Sequence, residues 1–266
     1  MDNYQTFKEV LLQGVHREEE ERTNDFLICC RRPMEANVAH FRNRISQRLK
    51  TSRLAILCEI VAVLLFAKLM LHLGRLAGGG WLVSLIASLT ILLGISGLLL
   101  FRHSWWTDYG LKSPNGWFRT LGSAILLVIT LLILIGFLRA LISRFVGEPN
   151  EIFDEIKVRK ESLIWILIAI WTVVAFGEEM LLRGYILNRV ADLFNRNKVG
   201  WTVGLLVSSV LFGLMHLYQG YFAVLISFLI GLAFGIAYIR VEFNLWVPIF
   251  AHGIYDTLFV LVHYSR

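Results

Sequence analysis

Cysteine is scarce in this chain, and the few that occur do not form a spaced framework. Cys29 and Cys30 are adjacent, Cys58 stands apart, and there is no CxxC pair. This pattern excludes a disulfide scaffold and a zinc ribbon. No cleavable signal peptide is expected either, because the first fifty residues are charged and the first apolar run is long.

Several common catalytic and nucleotide-binding motifs are also missing. The sequence contains no HExxH, no GxSxG, no Walker loop and no Rossmann fingerprint. The absence of HExxH excludes the commonest zinc-protease arrangement. Gly78-Gly79-Gly80 is not followed by Lys and Ser or Thr, so it predicts only a turn.

Charge is absent over long stretches, and apolar residues take its place. Hydrophobic residues make up 56% of the 266 positions, and the mean hydropathy is +0.63. A membrane span needs about 20 mostly apolar residues. The sequence therefore predicts an all-α, polytopic membrane bundle of seven spans. There would be eight if residues 184–199 also enter the membrane or if a kink splits one long run. The predicted spans are 54–73, 81–101, 121–143, 163–187, 201–218, 221–240 and 245–263.

A basic cluster directly precedes the first span. Seven Arg or Lys residues lie between Arg31 and Arg53, against a single acid, Glu35. By the positive-inside rule, this cluster predicts a cytoplasmic N-terminus of a multi-pass cell-membrane protein. A nucleic acid is a poor partner for a cluster at this position, and the anionic headgroups of the lipid bilayer suit it better.

The polar connector from Arg144 to Ser162 is the main candidate boundary along the chain. We expect three parts: a cytoplasmic arm at 1–53, N-terminal membrane helices at 54–150, and a second membrane domain at 151–266. Two charged residues of the first span, Glu59 and Lys68, lie nearer its ends and are expected to be structural. Ser227, Gly231 and Gly235 recur every four residues and predict close helix packing.

The fourth predicted span carries the most informative charges. Glu178 and Glu179 follow a fifteen-residue run, Leu163 to Gly177, that has no charge. An ionised side chain at the bilayer centre costs about 2.5–3.5 kcal/mol, so such a pair indicates function. Arg183 lies four residues after Glu179, on the same helix face. Glu178 lies about 100° further round and has no such partner.

Two later helices add ionisable groups. His216 closes the stretch Phe212 to His216, and His252 and Asp256 are four apart in the last span, hence on one face. Two histidines and two carboxylates can bind a divalent metal, usually Zn²⁺, or can activate water without one. The residues leave both alternatives open.

The ordered motifs EExxxR, FxxxH and HxxxD in three membrane helices resemble the CPBP family of intramembrane proteases. This family comprises the CAAX proteases and bacteriocin-processing enzymes, also called Abi proteins. The resemblance covers roughly residues 163 to 262. It implies cleavage of peptide bonds in or beside the bilayer, on membrane-associated substrates such as prenylated C-terminal tails or leader peptides.

The resemblance also implies roles for the motif residues. Glu178 would activate water, His216 would help to hold that water, and Glu179 with Arg183 would form a supporting ion pair. His252 and the residue four beyond it would stabilise the oxyanion or, in a metal-dependent mechanism, complete a site of Glu178, His216, His252 and Asp256. Some family members carry Asn where this chain has Asp256. An ionised carboxylate offers no hydrogen to an oxyanion, so orientation of His252 or metal binding is the favoured role of Asp256.

Two other functions compete with that of an intramembrane (metallo)endopeptidase. One is a non-catalytic membrane scaffold or an immunity-type regulator that keeps the fold. The other is an ion- or proton-coupled transporter, although the two halves show no internal repeat. Glu178 and His216 would lie too far apart on straight helices that end where the spans do. We therefore predict that the fourth helix extends past Gly184.

Overall fold

The computed structural model describes residues 52–78, 81–146 and 163–264. Residues 1–51 of the predicted cytoplasmic arm, with all of its basic cluster except Arg53, and most of the polar connector lie outside these ranges. The described residues form helices joined by loops and contain no strand. This architecture confirms the predicted all-α membrane bundle.

Seven helices make up the described part of the chain. We name them α1 to α7 in chain order. They are α1 Arg53–Leu76, α2 Trp81–Phe101, α3 Trp117–Val146, α4 Leu163–Leu193, α5 Lys198–Met215, α6 Tyr221–Arg240 and α7 Trp246–Tyr264. Short 3₁₀ turns at Trp106–Tyr109 and Leu217–Gln219 lie in the loops. The first six helices are long and apolar enough to cross a membrane, and the apolar part of α7 is shorter, Trp246–Val262.

Several helix boundaries differ from the predicted spans. α3 begins at Trp117, within the stretch that the sequence predicted as a loop. α5 ends at Met215 instead of residue 218, so His216 caps the helix and is not within it. The chain turns there because the His216 N–H bonds to the Gly213 carbonyl, and Gly220 then takes a positive φ of 106°. The prediction that this span continues to residue 218 was wrong.

The fourth helix is longer than its predicted span. It runs without a break to Leu193, which confirms the predicted extension past Gly184. Residues 184–193 therefore continue α4, so the alternative of a separate eighth membrane segment there was wrong. Glu178 consequently lies near the middle of a 31-residue helix.

The middle of α4 has wider turns than a regular α-helix. Two π-helical segments, Ile170–Glu178 and Met180–Leu187, meet at Glu179. The side-chain amide of Asn188 donates to the carbonyls of Gly184 and Arg183, at 2.8 and 3.0 Å. Asn188 thus satisfies backbone groups at the end of the wide turns. π-helical turns are frequent at functional sites.

Small residues let α5 and α6 pack closely against their neighbours. A Cβ at Gly231 would lie 3.1 Å from Ser209 Cα, and one at Gly204 would lie 2.6 Å from the Leu187 carbonyl oxygen. Gly235 is in similarly close contact with Leu205. The close packing predicted from the small-residue stripe is confirmed, and it brings α5 against both α4 and α6.

A buried ionic cluster ties α1 to the rest of the bundle. Glu59 on α1 accepts hydrogen bonds from Arg102 at 3.0 Å, from Arg189 at 2.7 and 2.9 Å, and from the Tyr185 hydroxyl at 2.6 Å. All four side chains are buried. Glu59 therefore has the structural role that the sequence suggested, whereas Lys68 is exposed.

The loops before α3 and before α7 are bonded to each other. The Leu245 N–H donates to the Gly110 carbonyl at 2.9 Å, and Lys112 Nζ donates to the Glu242 carbonyl at 2.9 Å. Gly110 has a φ of 102°, and a Cβ there would lie 2.6 Å from the Phe243 carbonyl oxygen. Only glycine suits this approach. We call this the inter-loop contact.

Candidate active site

Glu179 is the centre of the hydrogen-bond network around the carboxylate pair. Its Oε1 accepts from Arg183 Nη1 at 2.6 Å and from His252 Nδ1 at 2.9 Å. The side chains of Glu179 and Arg183 are completely buried, and His252 is 3% exposed. The network therefore joins α4 to α7 through one carboxylate oxygen.

Arg183 is neutralised and enclosed at the same time. Besides Glu179, it donates from Nη2 to the Gly231 carbonyl on α6 at 3.1 Å. Its guanidinium carbon lies 4.8 Å from the Phe212 ring centroid and 5.5 Å from that of Phe234. Arginine stacks well on aromatic faces, so these rings stabilise its charge where water is excluded.

The same two aromatic rings hold the imidazole of His252. Its centroid lies 5.5 Å from the Phe212 ring, edge to face, and 5.2 Å from the Phe234 ring. Its Nε2 lies 3.4 Å from Asp256 Oδ2. This distance is long for a hydrogen bond, whereas the bond to Glu179 has good length. Glu179 thus fixes the orientation of His252 more firmly than Asp256 does.

His216 approaches the site from the end of α5. Its Nδ1 lies 2.9 Å from the Phe212 carbonyl, and its ring packs edge to face on the Phe212 ring at 5.0 Å. A carbonyl oxygen can only accept, so Nδ1 carries the proton and Nε2 is the acceptor nitrogen of the neutral ring. His216 and His252 therefore lie against the same phenylalanine. His216 is close enough to Asp256 and His252 to interact with their charges.

Glu178 has different surroundings from its neighbour. Of the two glutamates, only Glu179 is ion-paired to Arg183, although Oε2 of each is buried and without a hydrogen-bond partner among the described residues. The Glu178 carboxylate still lies within electrostatic reach of His252, Asp256 and Arg183. A buried carboxylate oxygen without a partner is costly unless water or a ligand uses it.

The possible metal ligands do not form a metal site as they are arranged. Within residues 52–78, 81–146 and 163–264, no three His, Cys, Asp or Glu side chains are placed to hold one ion. Both ring nitrogens of His252 face carboxylates, Glu179 on one side and Asp256 on the other. The site of Glu178, His216, His252 and Asp256 therefore does not fit a metal in this conformation.

The structure brings the sequence-predicted groups into one region. The expected ion pair of Glu179 and Arg183 is present, and His252 and Asp256 lie beside it. Sequence reasoning missed that Glu179 also bonds His252 and that Gly231 offers its carbonyl to Arg183. It noted Gly231 as a packing residue, but a backbone carbonyl leaves no signal in a sequence.

Comparison with known protein families relates the second half of the chain to one of them. Residues 160–258 match the family model described as type II CAAX prenyl endopeptidase Rce1-like. The match covers less than half of the chain, includes all three motifs and confirms the resemblance that they indicated. No curated protein and no solved structure matches the chain. The match supports a membrane endopeptidase of the CAAX protease kind.

Proposed function

Starting from the match of residues 160–258 to the Rce1-like type II CAAX prenyl endopeptidases, we propose that this protein is an intramembrane endopeptidase whose base is Glu178. One observation carries the assignment of the base. Glu179 is neutralised by Arg183 and bonded to His252, whereas the Glu178 carboxylate has no ion pair among the described side chains, and its buried Oε2, like that of Glu179, has no hydrogen-bond partner there. A water molecule is the natural partner of this oxygen.

The proposed reaction is hydrolysis of a peptide bond by that water. Glu178 takes a proton as the water oxygen attacks the peptide carbonyl carbon, and His216 Nε2 accepts the second water hydrogen as a hydrogen bond. The carbonyl becomes an oxyanion. When the C–N bond breaks, the proton held by Glu178 passes to the leaving amine, so that acid and amine products form in balance.

His252 is the proposed donor to the oxyanion. With both ring nitrogens protonated, it donates Nδ1–H to Glu179 and has Nε2–H left for the developing charge. Asp256 Oδ2, at 3.4 Å from Nε2, is the acceptor towards which this hydrogen points until the substrate replaces it. Glu179 and Arg183 position His252 and do not react themselves. The substrate proposed here is a membrane-associated protein or peptide, with a prenylated tail or a leader peptide as the candidates.

The test is peptide cleavage by purified protein in liposomes, with Glu178→Gln and His216→Ala as variants. We expect kcat to fall by at least about 100-fold in Glu178→Gln, because general-base catalysis contributes roughly 10²–10⁴-fold. In His216→Ala we expect a loss of at least about tenfold, the effect of one hydrogen bond to the water. Glu242→Gln is the matched control. Glu242 is exposed, and the substitution removes the same charge outside the site. Unchanged turnover in folded Glu178→Gln would reject the proposal. Partner binding without cleavage would favour the non-catalytic scaffold.

A further inference from the structure

A second polar site borders the ionic cluster at Arg102 and Asp192. A cavity of about 380 Å³ opens there. It is lined by the chain just after α2 and just after α4, including Arg102, Ser104, Asp108, Tyr109 and Arg196. None of these residues has a part in the proposed reaction. The motifs EExxxR, FxxxH and HxxxD do not contribute to it.

Arg102 is the strongest sign that the cavity takes a ligand. The residue is 3% exposed, and its Nη1 donates to Glu59. Its Nε is buried and has no hydrogen-bond partner in the described part of the chain. A buried guanidinium donor without a partner is costly, and an oxyanion in the cavity would satisfy it.

The depth of the cavity indicates where the oxyanion comes from. Arg102 directly follows Phe101, the last residue of α2, and Arg196 comes three residues after Leu193, the last of α4. Both helices are long enough to cross a membrane. Since spans end at the headgroup region, the cavity lies at the depth of lipid phosphates.

The charges around the cavity suggest a headgroup that carries both signs. The arginines and carboxylates in and beside the cavity are equal in number, so their formal charges cancel when His103 of the cavity wall is counted as neutral. The three arginines are Arg102, Arg189 and Arg196, and the three carboxylates are Glu59, Asp108 and Asp192. Asp192 is already paired with two arginines, at 2.6 and 2.7 Å. Asp108 accepts one backbone N–H, from Trp105, and is exposed. Arg196 is 41% exposed.

We propose that this cavity binds the headgroup of a phospholipid that carries a primary amine. The lipid phosphate lies against Arg102 and Arg196, and the ammonium group donates to the carboxylate of Asp108. Bidentate contact with arginine suits a phosphate, and an ammonium with three N–H donors suits a carboxylate. The trimethylated amine of phosphatidylcholine has no such donors. The proposal is independent of the protease assignment.

The test is native mass spectrometry of the full-length protein in detergent, titrated with phosphatidylethanolamine, phosphatidylcholine, phosphatidylglycerol or inorganic phosphate. We expect phosphatidylethanolamine to bind about tenfold more tightly than phosphatidylcholine, as one charge-assisted hydrogen bond would give. Arg196→Gln should weaken the binding of both lipids about tenfold. Asp108→Asn should remove the preference between them, because it removes the carboxylate charge that the ammonium group contacts. The loop should keep its structure, since Asn can still accept the Trp105 N–H.

Arg240→Gln is the matched control, since Arg240 is an exposed arginine in the last turn of α6 and does not line the cavity. It should leave all affinities unchanged. Equal binding of the two lipids, or an unaffected Arg196→Gln, would overturn the proposal. If phosphatidylglycerol binds as tightly as phosphatidylethanolamine, the amine assignment is wrong. If inorganic phosphate binds as tightly as phosphatidylethanolamine and its binding depends equally on Arg196, the site takes free phosphate and not a lipid.

Discussion

Glu178 and Glu179 are adjacent in the sequence, but only one of the two carboxylates is paired with a buried cation, so we expect them to contribute differently to stability. Glu179 neutralises a completely buried arginine and bonds His252. Glu178 is buried without an ion pair among the side chains described, and its Oε2, like Oε2 of Glu179, has no hydrogen-bond partner there. We therefore separate the two residues by a stability measurement as well as by activity.

Glu179→Gln should lower the unfolding temperature substantially. The substitution leaves Arg183 buried without its counter-charge, and breaking a buried ion pair costs about 3–5 kcal/mol. Glu178→Gln should leave the unfolding temperature unchanged or raise it, because it removes a charge that has no partner of its own. Thermal unfolding in detergent measures both, with Glu242→Gln as the surface control. A larger loss in Glu178→Gln than in Glu179→Gln would contradict this division.

Asp256 is the position at which the chain differs from family members with Asn. Its distance from His252 is 3.4 Å, and Glu179 already orients the ring. Asp256→Asn should therefore keep at least about a third of the wild-type kcat/KM, since an amide oxygen still accepts from Nε2–H. Asp256→Leu, which cannot accept, should lose about tenfold, the effect of one hydrogen bond. Equal activities of the two variants would show that Asp256 does not act through a hydrogen bond.

The sequence predicted those site contacts that are local in the chain. Glu179 and Arg183 are one turn apart, and so are His252 and Asp256, so helix periodicity pairs them. The bond from His252 to Glu179 joins residues 73 positions apart and depends on how α7 packs on α4. Likewise, Glu59 was predicted to be structural, but its partners Arg102 and Arg189 could not be identified without the fold.

Helices were predicted more reliably than their ends. Long apolar runs define the seven helices, because a membrane span leaves little choice of structure. The wide turns of α4 were not predicted, since hydrophobic periodicity does not distinguish π from α turns in a uniformly apolar run. The early end of α5 was also missed. Gly213 and Gly220, on either side of His216, were the available signal.

The packing of α5 on α4 depends on Gly204. A Cβ there would lie 2.6 Å from the Leu187 carbonyl oxygen, a backbone atom that cannot rotate away. Gly204→Ala should therefore separate the two helices and lower stability by about 1–3 kcal/mol. The matched control is Gly122→Ala on α3, where a Cβ would meet nothing described within 4 Å. Thermal unfolding and cleavage rates should both fall in Gly204→Ala and not in Gly122→Ala; equal effects would contradict the packing argument.

The bundle as a whole is connected by Glu59. This carboxylate joins α1 to Arg102 after α2 and to Tyr185 and Arg189 on α4. Glu59→Gln leaves Arg102 and Arg189 without this counter-charge. We expect the free energy of unfolding to fall by about 3–5 kcal/mol and the unfolding temperature to fall accordingly. Lys68→Gln, an exposed charge on the same helix, is the control and should have little effect. Protease resistance in detergent reports the same difference, and equal sensitivity of both variants would exclude a structural role.

The inter-loop contact has a consequence for activity in membranes of different thickness. Leu245 is bonded to Gly110, and His252 lies seven residues further along, which is about 10 Å of helix. Glu179, on the neighbouring α4, is bonded to that same histidine. The position of His252 along α7 is therefore fixed by contacts between protein loops and not by contacts with lipid. In a thinner or thicker bilayer we therefore expect the bundle to tilt as a unit and the distance between His252 and Glu179 to stay the same.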